Sequence, residues 1–339
     1  MTLANGRRMS QSGSSRSVLR RSAIAGTGVA LAFNVLAFRH AWSFTHTTEG
    51  APRIDPRHLS IGERIRIAVT GVPLDRPQNT RTPRDVGLPY QTHIVPGEGA
   101  RPPLEAWLIP GADTAAIVVL LHGHGGAKSE LLRHARRLHA MGPTVLMLDF
   151  AGSGGSGDAP FTIGARESRD VAAATAYARA LGARRVYLYG LSMGAVAAVK
   201  AVAEGTAADG VILECPFDSL LTTVEHRFET VGLPAFPAAH ALLFWGGVQL
   251  GFNPFRHGAL TYASSVNAPV LLMAGARDPW VTPDETRHIF EALPGPKRLY
   301  LCPAVGHASC LSSNPDRWTA LVGAFVANPV VDGGSSAFQ

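Results

Sequence analysis

The chain has 339 residues, of which 46% are hydrophobic and only 17% carry a charged side chain. This composition is far from that of disordered chains and allows a sizeable buried core. The formal net charge of +6 comes from the first 48 residues, which hold six arginines and no Asp, Glu or Lys. The rest of the chain carries 25 basic and 25 acidic residues, so a basic groove for nucleic acid is not indicated.

The amino-terminal segment, residues 1–44, contains an uncharged run over 23–38, and three interpretations fit it. A single-pass anchor suits the run, and Arg20 and Arg21 before it would keep the amino terminus in the cytoplasm and the following domain outside. A cleaved export signal suits the small residues near 30–32 and would give an exported soluble protein. A helix without a membrane role is the third. We take the anchor as the prediction.

Residues 45–87 are rich in Pro, Arg and Thr and are predicted to form a linker, with a short strand or helix at 61–69. The main domain is predicted over 88–330. It begins with two short strand candidates, 90–95 and 104–109, separated by a Pro/Gly turn, which indicate an antiparallel pair at a sheet edge.

Apolar runs then alternate with segments of helical spacing. This alternation predicts an α/β fold, a mostly parallel central sheet flanked by helices, with ligands bound at the carboxyl ends of the strands. The predicted strands are 116–121, 145–150, 186–191, 211–215, 270–274 and 298–302, and the predicted helices are 129–141 (with Ser129 as N-cap), 165–181, 194–204, 283–293 and 316–327.

The segment between the strands ending at Cys215 and starting near Pro269 is too long for a plain connection and is rich in Phe and Leu. Residues 217–266 are therefore predicted to form a small helical cap over the site. An apolar cap favours a substrate with an acyl or aromatic portion, although the same residues would equally pack on the underside of the cap.

The stretch Gly190-Leu191-Ser192-Met193-Gly194 joins a predicted strand to an Ala-rich predicted helix. In such a G-x-S-x-G turn, the glycines let strand and helix approach closely, and the serine projects its hydroxyl above the sheet. A chance Gly-flanked serine would lack this strand-and-helix frame. The pattern indicates Ser192 as a nucleophile.

Two further loops follow predicted strands: His122-Gly123-His124-Gly125-Gly126, and the D-x-x-G-x-G-x-S stretch from Asp149 to Ser156. Together with the turn at Ser192, they resemble the α/β-hydrolase superfamily, most closely bacterial hydrolases of the serine aminopeptidase and lipase-like group. The resemblance covers about 88–327. It implies that the backbone amides of His124 and Met193 form an oxyanion hole.

A serine nucleophile needs a histidine base and a carboxylate that orients it, and hydrolases place them in the chain order Ser, acid, His. Asp278 follows the strand at 270–274, and His307 follows the strand at 298–302. These positions predict Asp278 as the acid and His307 as the base. Asp218 and Glu214, near the end of the strand at 211–215, remain as alternative acids.

Three cysteines, Cys215, Cys302 and Cys310, are too few for a disulfide framework, and no metal-ligand motif is visible in the sequence. We interpret all three as core residues, with a bridge between Cys302 and Cys310 as the alternative in an oxidising compartment. Neither a metal nor an organic cofactor is expected.

The sequence thus predicts a serine hydrolase that cleaves a carboxylic ester of a small-molecule acyl substrate through an acyl-enzyme. The alternative is a peptidase or amidase of the serine aminopeptidase type. Less favoured are an acyltransferase and a membrane-anchored interaction protein that keeps the fold without activity.

Overall fold

The computed structural model of the chain describes residues 11–48, 50–51 and 60–329. Within these residues eight strands form one sheet: β1 (Gln91–Val95), β2 (Leu104–Ile109), β3 (Asp113–Leu121), β4 (Pro143–Leu148), β5 (Arg185–Leu191), β6 (Gly210–Glu214), β7 (Val270–Gly275) and β8 (Lys297–Cys302). Their order in space is β1-β2-β4-β3-β5-β6-β7-β8. The pairs β1–β2 and β2–β4 are antiparallel and all the others are parallel, which confirms the predicted sheet and its antiparallel edge.

The α-helices of the described residues alternate with the strands of the main domain and also precede it. They are α1 (Gln11–Thr45), α2 (Ile61–Thr70), α3 (Leu132–Ala140), α4 (Glu167–Ala180), α5 (Met193–Ala203), α6 (Leu220–Thr230), α7 (Ala238–Leu250), α8 (Ala259–Ala263), α9 (Pro283–Ala292) and α10 (Pro315–Ala327).

The predicted start of α3 is wrong. A 3-10 turn occupies Lys128–Leu131, and α3 begins only at Leu132, so Ser129 is not its N-cap. The reason lies in distant partners: the amide of Lys128 donates to the Asp149 carboxylate at 2.7 Å, and the amide of Ser129 donates to the Asn79 side chain at 3.1 Å. These contacts hold the two amides outside the helix.

The sheet separates two apolar layers. On one face, buried side chains of α4, α5, α8 and α9 pack against the sheet. On the other face, α3 and α10 bury side chains such as Trp318 and Phe325 against Tyr187 and Tyr189. The strands read as continuous apolar runs because β4, β5, β6 and β7 are covered on both faces.

The segment between β6 and β7 forms α6, α7 and α8, and the second half of α1 packs on α7. The indole Nε1 of Trp245 donates to Asn34 Oδ1 at 3.1 Å, and Gln249 Nε2 donates to the carbonyl of Phe38 at 2.8 Å. The ring of Phe38 meets that of Trp245 edge-on, with centroids 5.4 Å apart. Before this contact, α1 leaves apolar side chains exposed at Ile24, Val29 and Leu31.

Candidate active site

The turn between β5 and α5 holds Ser192 in a conformation that a serine rarely adopts, with φ +52° and ψ −112°. Its neighbours explain why the turn needs glycine: a Cβ on Gly190 would lie 2.5 Å from the backbone N of Ala195, and a Cβ on Gly194 would lie 2.5 Å from the carbonyl O of Leu121. The tight strand-to-helix approach therefore fixes the direction of the Ser192 hydroxyl.

Three side chains from the carboxyl ends of β5, β7 and β8 form a hydrogen-bonded chain. The Oγ of Ser192 lies 2.9 Å from Nε2 of His307, and Nδ1 of His307 lies 2.7 Å from Oδ2 of Asp278. The other oxygen of Asp278 accepts from the amides of Trp280 and Val281 at 2.9 and 3.1 Å. These amides hold the carboxylate against the imidazole, so a proton can pass from the hydroxyl to Nε2 while Nδ1–H stays bonded to Asp278.

The two alternative acids have other partners. Asp218 accepts from the Thr222 hydroxyl at 2.8 Å and from the amide of Ser219, which ties it to the start of α6. Glu214 accepts from the indole Nε1 of Trp318 at 3.0 Å on the opposite side of the strand end. Burial is the main cause that raises the pKa of Glu214 to about 7.

The loop after β3 lies beside the turn of Ser192, since a Cβ on Gly123 would be 3.8 Å from the Cβ of Ser192. In the part of the chain that the structure describes, the amides of His124 and Met193 donate to no backbone carbonyl. The ring of His122 fixes this loop from below: its Nδ1 lies 2.8 Å from the carbonyl O of Gly123, and its Nε2 accepts from the amide of Phe150 at 3.1 Å.

A buried ion pair supports the same loop. The Lys128 ammonium is fully buried and binds both Glu105, at 2.7 Å, and Asp149. Burial acts to raise the pKa of Asp149, but the charge and hydrogen bonds of Lys128 outweigh it and hold that pKa below its usual value. The carboxylate also accepts from the amide of Gly155 at 3.0 Å, so it orders the glycine-rich loop after β4.

One group of potential metal ligands lies among the described residues: Cys215, Asp278 and His307, with ligand atoms within 4.8 Å of one another. Two of the three already belong to the hydrogen-bonded chain with Ser192. Burial raises the pKa of the Cys215 thiol well above its usual value, and a protonated thiol is a poor metal ligand. The other two cysteines, Cys302 and Cys310, form a disulfide that closes the loop carrying His307.

Comparisons with known proteins agree with this architecture. Residues 112–238 match the family described as serine aminopeptidase S33, and residues 257–326 match that of PhoPQ-activated pathogenicity-related proteins. The chain is 28% identical to the uncharacterised protein Rv2307c of Mycobacterium tuberculosis over 207 residues, 60% of this chain and 68% of that one.

Solved structures show the fold. The esterase Pf2001 of Pyrococcus furiosus superposes with a TM-score of 0.65 at 22% identity, over 76% of this chain and 97% of that one. A proline iminopeptidase of Mycobacterium smegmatis gives a TM-score of 0.53 at 18% identity, over 70% of this chain and 98% of that one. The chain has the α/β-hydrolase fold.

Two further residues that no sequence motif marks lie at the hydrogen-bonded chain. The ring of Trp280 is 5.0 Å from the ring of His307, and the guanidinium of Arg227, from α6, lies 4.5 Å from the centroid of the Trp280 ring. Arg227 lies in the apolar segment between β6 and β7, and its charge within that segment is the sequence signal that could have drawn attention to it.

Proposed function

We propose that this α/β-hydrolase is a serine hydrolase that cleaves a carboxylic ester, with Ser192 as nucleophile, His307 as base and Asp278 as the acid that orients it. The observation that carries the proposal is the unbroken chain of two hydrogen bonds, 2.9 Å and 2.7 Å long, from hydroxyl to imidazole to carboxylate. The family match and the structural relatives indicate a hydrolase.

The reaction follows from these atoms. Nε2 of His307 takes the proton of the Ser192 hydroxyl while Oγ attacks the ester carbonyl, and Asp278 stabilises the imidazolium. The amides of His124 and Met193 stabilise the oxyanion, which is worth on the order of 3 kcal/mol per donor in such sites. The imidazolium then protonates the departing alcohol. Water, deprotonated by His307, then attacks the acyl carbon, and the imidazolium returns that proton to Ser192 Oγ as the carboxylic acid leaves. These steps call on no cofactor.

A second candidate is peptide or amide cleavage, because the matched family is named for an aminopeptidase and one structural relative is an iminopeptidase. The same hydrogen-bonded chain would serve it, with an amine as leaving group. An acyltransferase would differ in passing the acyl group to an acceptor other than water. An interaction protein without activity would turn over none of these substrates.

Turnover of short and medium p-nitrophenyl esters, beside aminoacyl p-nitroanilides, tests the proposal. We expect ester hydrolysis that Ser192→Ala abolishes and that Ser264→Ala, a change at an exposed serine of the cap, leaves intact. Faster cleavage of the anilides would favour the peptidase. A folded protein that cleaves neither class would contradict a hydrolytic function.

We also propose that α1 anchors the protein in a membrane with the catalytic domain outside the cytoplasm. The segment Arg20–Thr45 is long and apolar enough to cross a bilayer, a test that a signal sequence passes as well. Ile24, Val29 and Leu31 expose 63%, 70% and 66% of their surface, which water disfavours and lipid accepts. Arg20 and Arg21 precede the apolar run, as expected for a cytoplasmic amino terminus.

Reporters fused to the carboxyl terminus test this orientation. Alkaline phosphatase, which is active only outside the cytoplasm, should give a signal, and green fluorescent protein exported in unfolded form should stay dark. Membrane fractionation of the same cells separates an anchored from a released protein. A fluorescent fusion in the membrane fraction would reverse the proposed orientation, and a soluble exported product would favour a cleaved signal.

A further inference from the structure

The cap places a cation directly over the acid and base of the site. Arg227 lies in the last turn of α6, and its guanidinium carbon is 4.5 Å from the centroid of the Trp280 ring. That ring is itself 5.0 Å from the ring of His307, and the amide of Trp280 donates to Asp278. One aromatic ring therefore separates the cation from His307, the hydrogen-bond partner of Ser192.

Arg227 has no anionic partner in the described part of the chain. Its Nε is buried and donates no hydrogen bond, and its guanidinium forms no salt bridge there. Burial lowers the pKa of Arg227, and the negative charge of Asp278 opposes this effect. The side chain of Arg227 is half-buried, so its guanidinium gives up part of its hydration with no anion to replace the lost water.

A second polar atom near Ser192, on the loop after β3, has no hydrogen-bond partner. Nε2 of His124 is buried and without a hydrogen bond, while its ring stacks on Phe44 at 4.7 Å and meets Phe161 edge-on at 5.3 Å. Burial first, and the positive charge of Arg227 second, lower the pKa of His124 to about 4. At neutral pH the imidazole is therefore uncharged. The charge of Arg227 thus acts on both His124 and Asp278.

We propose that Arg227 is a specificity-determining residue that binds an anionic group of the ester substrate, a carboxylate or a phosphate carried near the scissile carbonyl. The proposal rests on the proposed ester hydrolase function. A planar guanidinium presents two parallel N–H groups to such an anion, which is the pairing that gives arginine its selectivity over other donors. The same charge would repel the free amine of an aminopeptidase substrate.

Matched ester pairs test the role of the charge. On the acyl side, the pair is mono-4-nitrophenyl glutarate and 4-nitrophenyl valerate, in which a carboxylate replaces a methyl group. On the alcohol side, 4-carboxyphenyl acetate and 4-acetoxyphenyl phosphate are compared with 4-carbamoylphenyl acetate. The quantity measured is the ratio of kcat/KM for the anionic ester to that for the neutral ester, so differences in intrinsic reactivity cancel between protein variants.

In the ester set, acyl-side or alcohol-side, whose anion reaches the guanidinium, we expect Arg227→Gln to lower this ratio at least about tenfold. The kcat/KM of the neutral ester should change only a few-fold. Arg227→Lys should retain part of the ratio. Arg256→Gln, which removes an exposed arginine of the same cap, should leave the ratio unchanged. Labelling by an uncharged fluorophosphonate reports whether each variant keeps a formed site.

Each outcome separates this proposal from the function on which it rests. Equal loss for both members of every pair would mean that Arg227 only holds α6 on Trp280, and the proposal fails. Equal ratios for the wild-type protein and Arg227→Gln also overturn the proposal. If Arg227→Gln does not fold, the proposal fails when the wild-type protein does not prefer the anionic ester, or when Arg227→Lys leaves that preference unchanged. Absence of any turnover that depends on Ser192 would instead overturn the ester hydrolase function itself.

Discussion

The carboxyl ends of β5, β7 and β8, here called the rim, differ from the cap (residues 217–266) in how their polar groups are satisfied. At the rim, Ser192, His307 and Asp278 bond to one another, and backbone amides hold the carboxylate. In the cap, Arg227 Nε is buried without a partner, and Phe236 exposes 73% of its surface. The three side chains at the rim are paired with one another, whereas the cap presents an unpaired nitrogen and an exposed aromatic ring.

The rim and the cap also differ in what determines their arrangement. The rim follows from the sheet, because parallel strands end at one edge and bring residues from distant parts of the chain together. The cap has no such constraint and can vary with the substrate. Changes at the rim should therefore affect every substrate alike, and changes in the cap should alter selectivity.

The largest effect is expected for Asp278→Asn, which should lower kcat about 10³- to 10⁴-fold for all esters, because an amide no longer favours the Nδ1–H tautomer of His307. The matched control is Asp218→Asn, at the alternative acid in the cap, which should change kcat only a few-fold. Steady-state kinetics and thermal unfolding of both variants check this. Comparable losses in the two variants would break the division between rim and cap.

Glu214 tests the electrostatics behind the rim. The carboxyl of Glu214 has a pKa of 4.5 in the unfolded chain, and burial raises this pKa to about 7 in the folded protein. The folded state binds more protons in this window, so this group makes stability fall as pH rises from about 4.5 to about 7, with no further change above. Glu214→Gln should remove a decrease of about 3 kcal/mol. Urea unfolding at several pH values measures it, and parallel curves for both proteins would refute the assignment.

A pair of glycine substitutions compares packing in the two regions. Gly190→Ala places a Cβ 2.5 Å from backbone atoms of α5 and should destabilise the protein by about 1–3 kcal/mol, with loss of turnover. Gly246→Ala, in α7, places its Cβ 4.0 Å from that of Ala41 and should be neutral or stabilise by up to about 1 kcal/mol. Denaturant unfolding distinguishes the two. Equal effects would mean that the turn at Ser192 is not tightly packed.

The sheet could be predicted from sequence because its strands are buried on both faces and their apolar runs are continuous. The start of α3 could not, since the residues that bind the amides of Lys128 and Ser129, Asp149 and Asn79, lie far away in the chain. The burial of Lys128 could not be predicted either, because lysine is almost always exposed unless a carboxylate pairs with it.

The candidate site divides in the same way. Motif and chain order indicate Ser192, Asp278 and His307, and the structure brings these three side chains into contact. The position of Arg227 over Trp280 depends on a tertiary contact between α6 and the loop after β7, which no local pattern encodes. The cysteines show a smaller difference: all three are buried as expected, but Cys302 and Cys310 form the disulfide that the sequence offered only as an alternative.

Covalent labelling of the intact protein with a fluorophosphonate, followed by mass spectrometry of its peptides, tests the central claim most directly. We expect one adduct, on Ser192, that disappears in His307→Ala. An adduct on a different serine, or a folded protein that reacts no faster than its His307→Ala variant, would contradict the account.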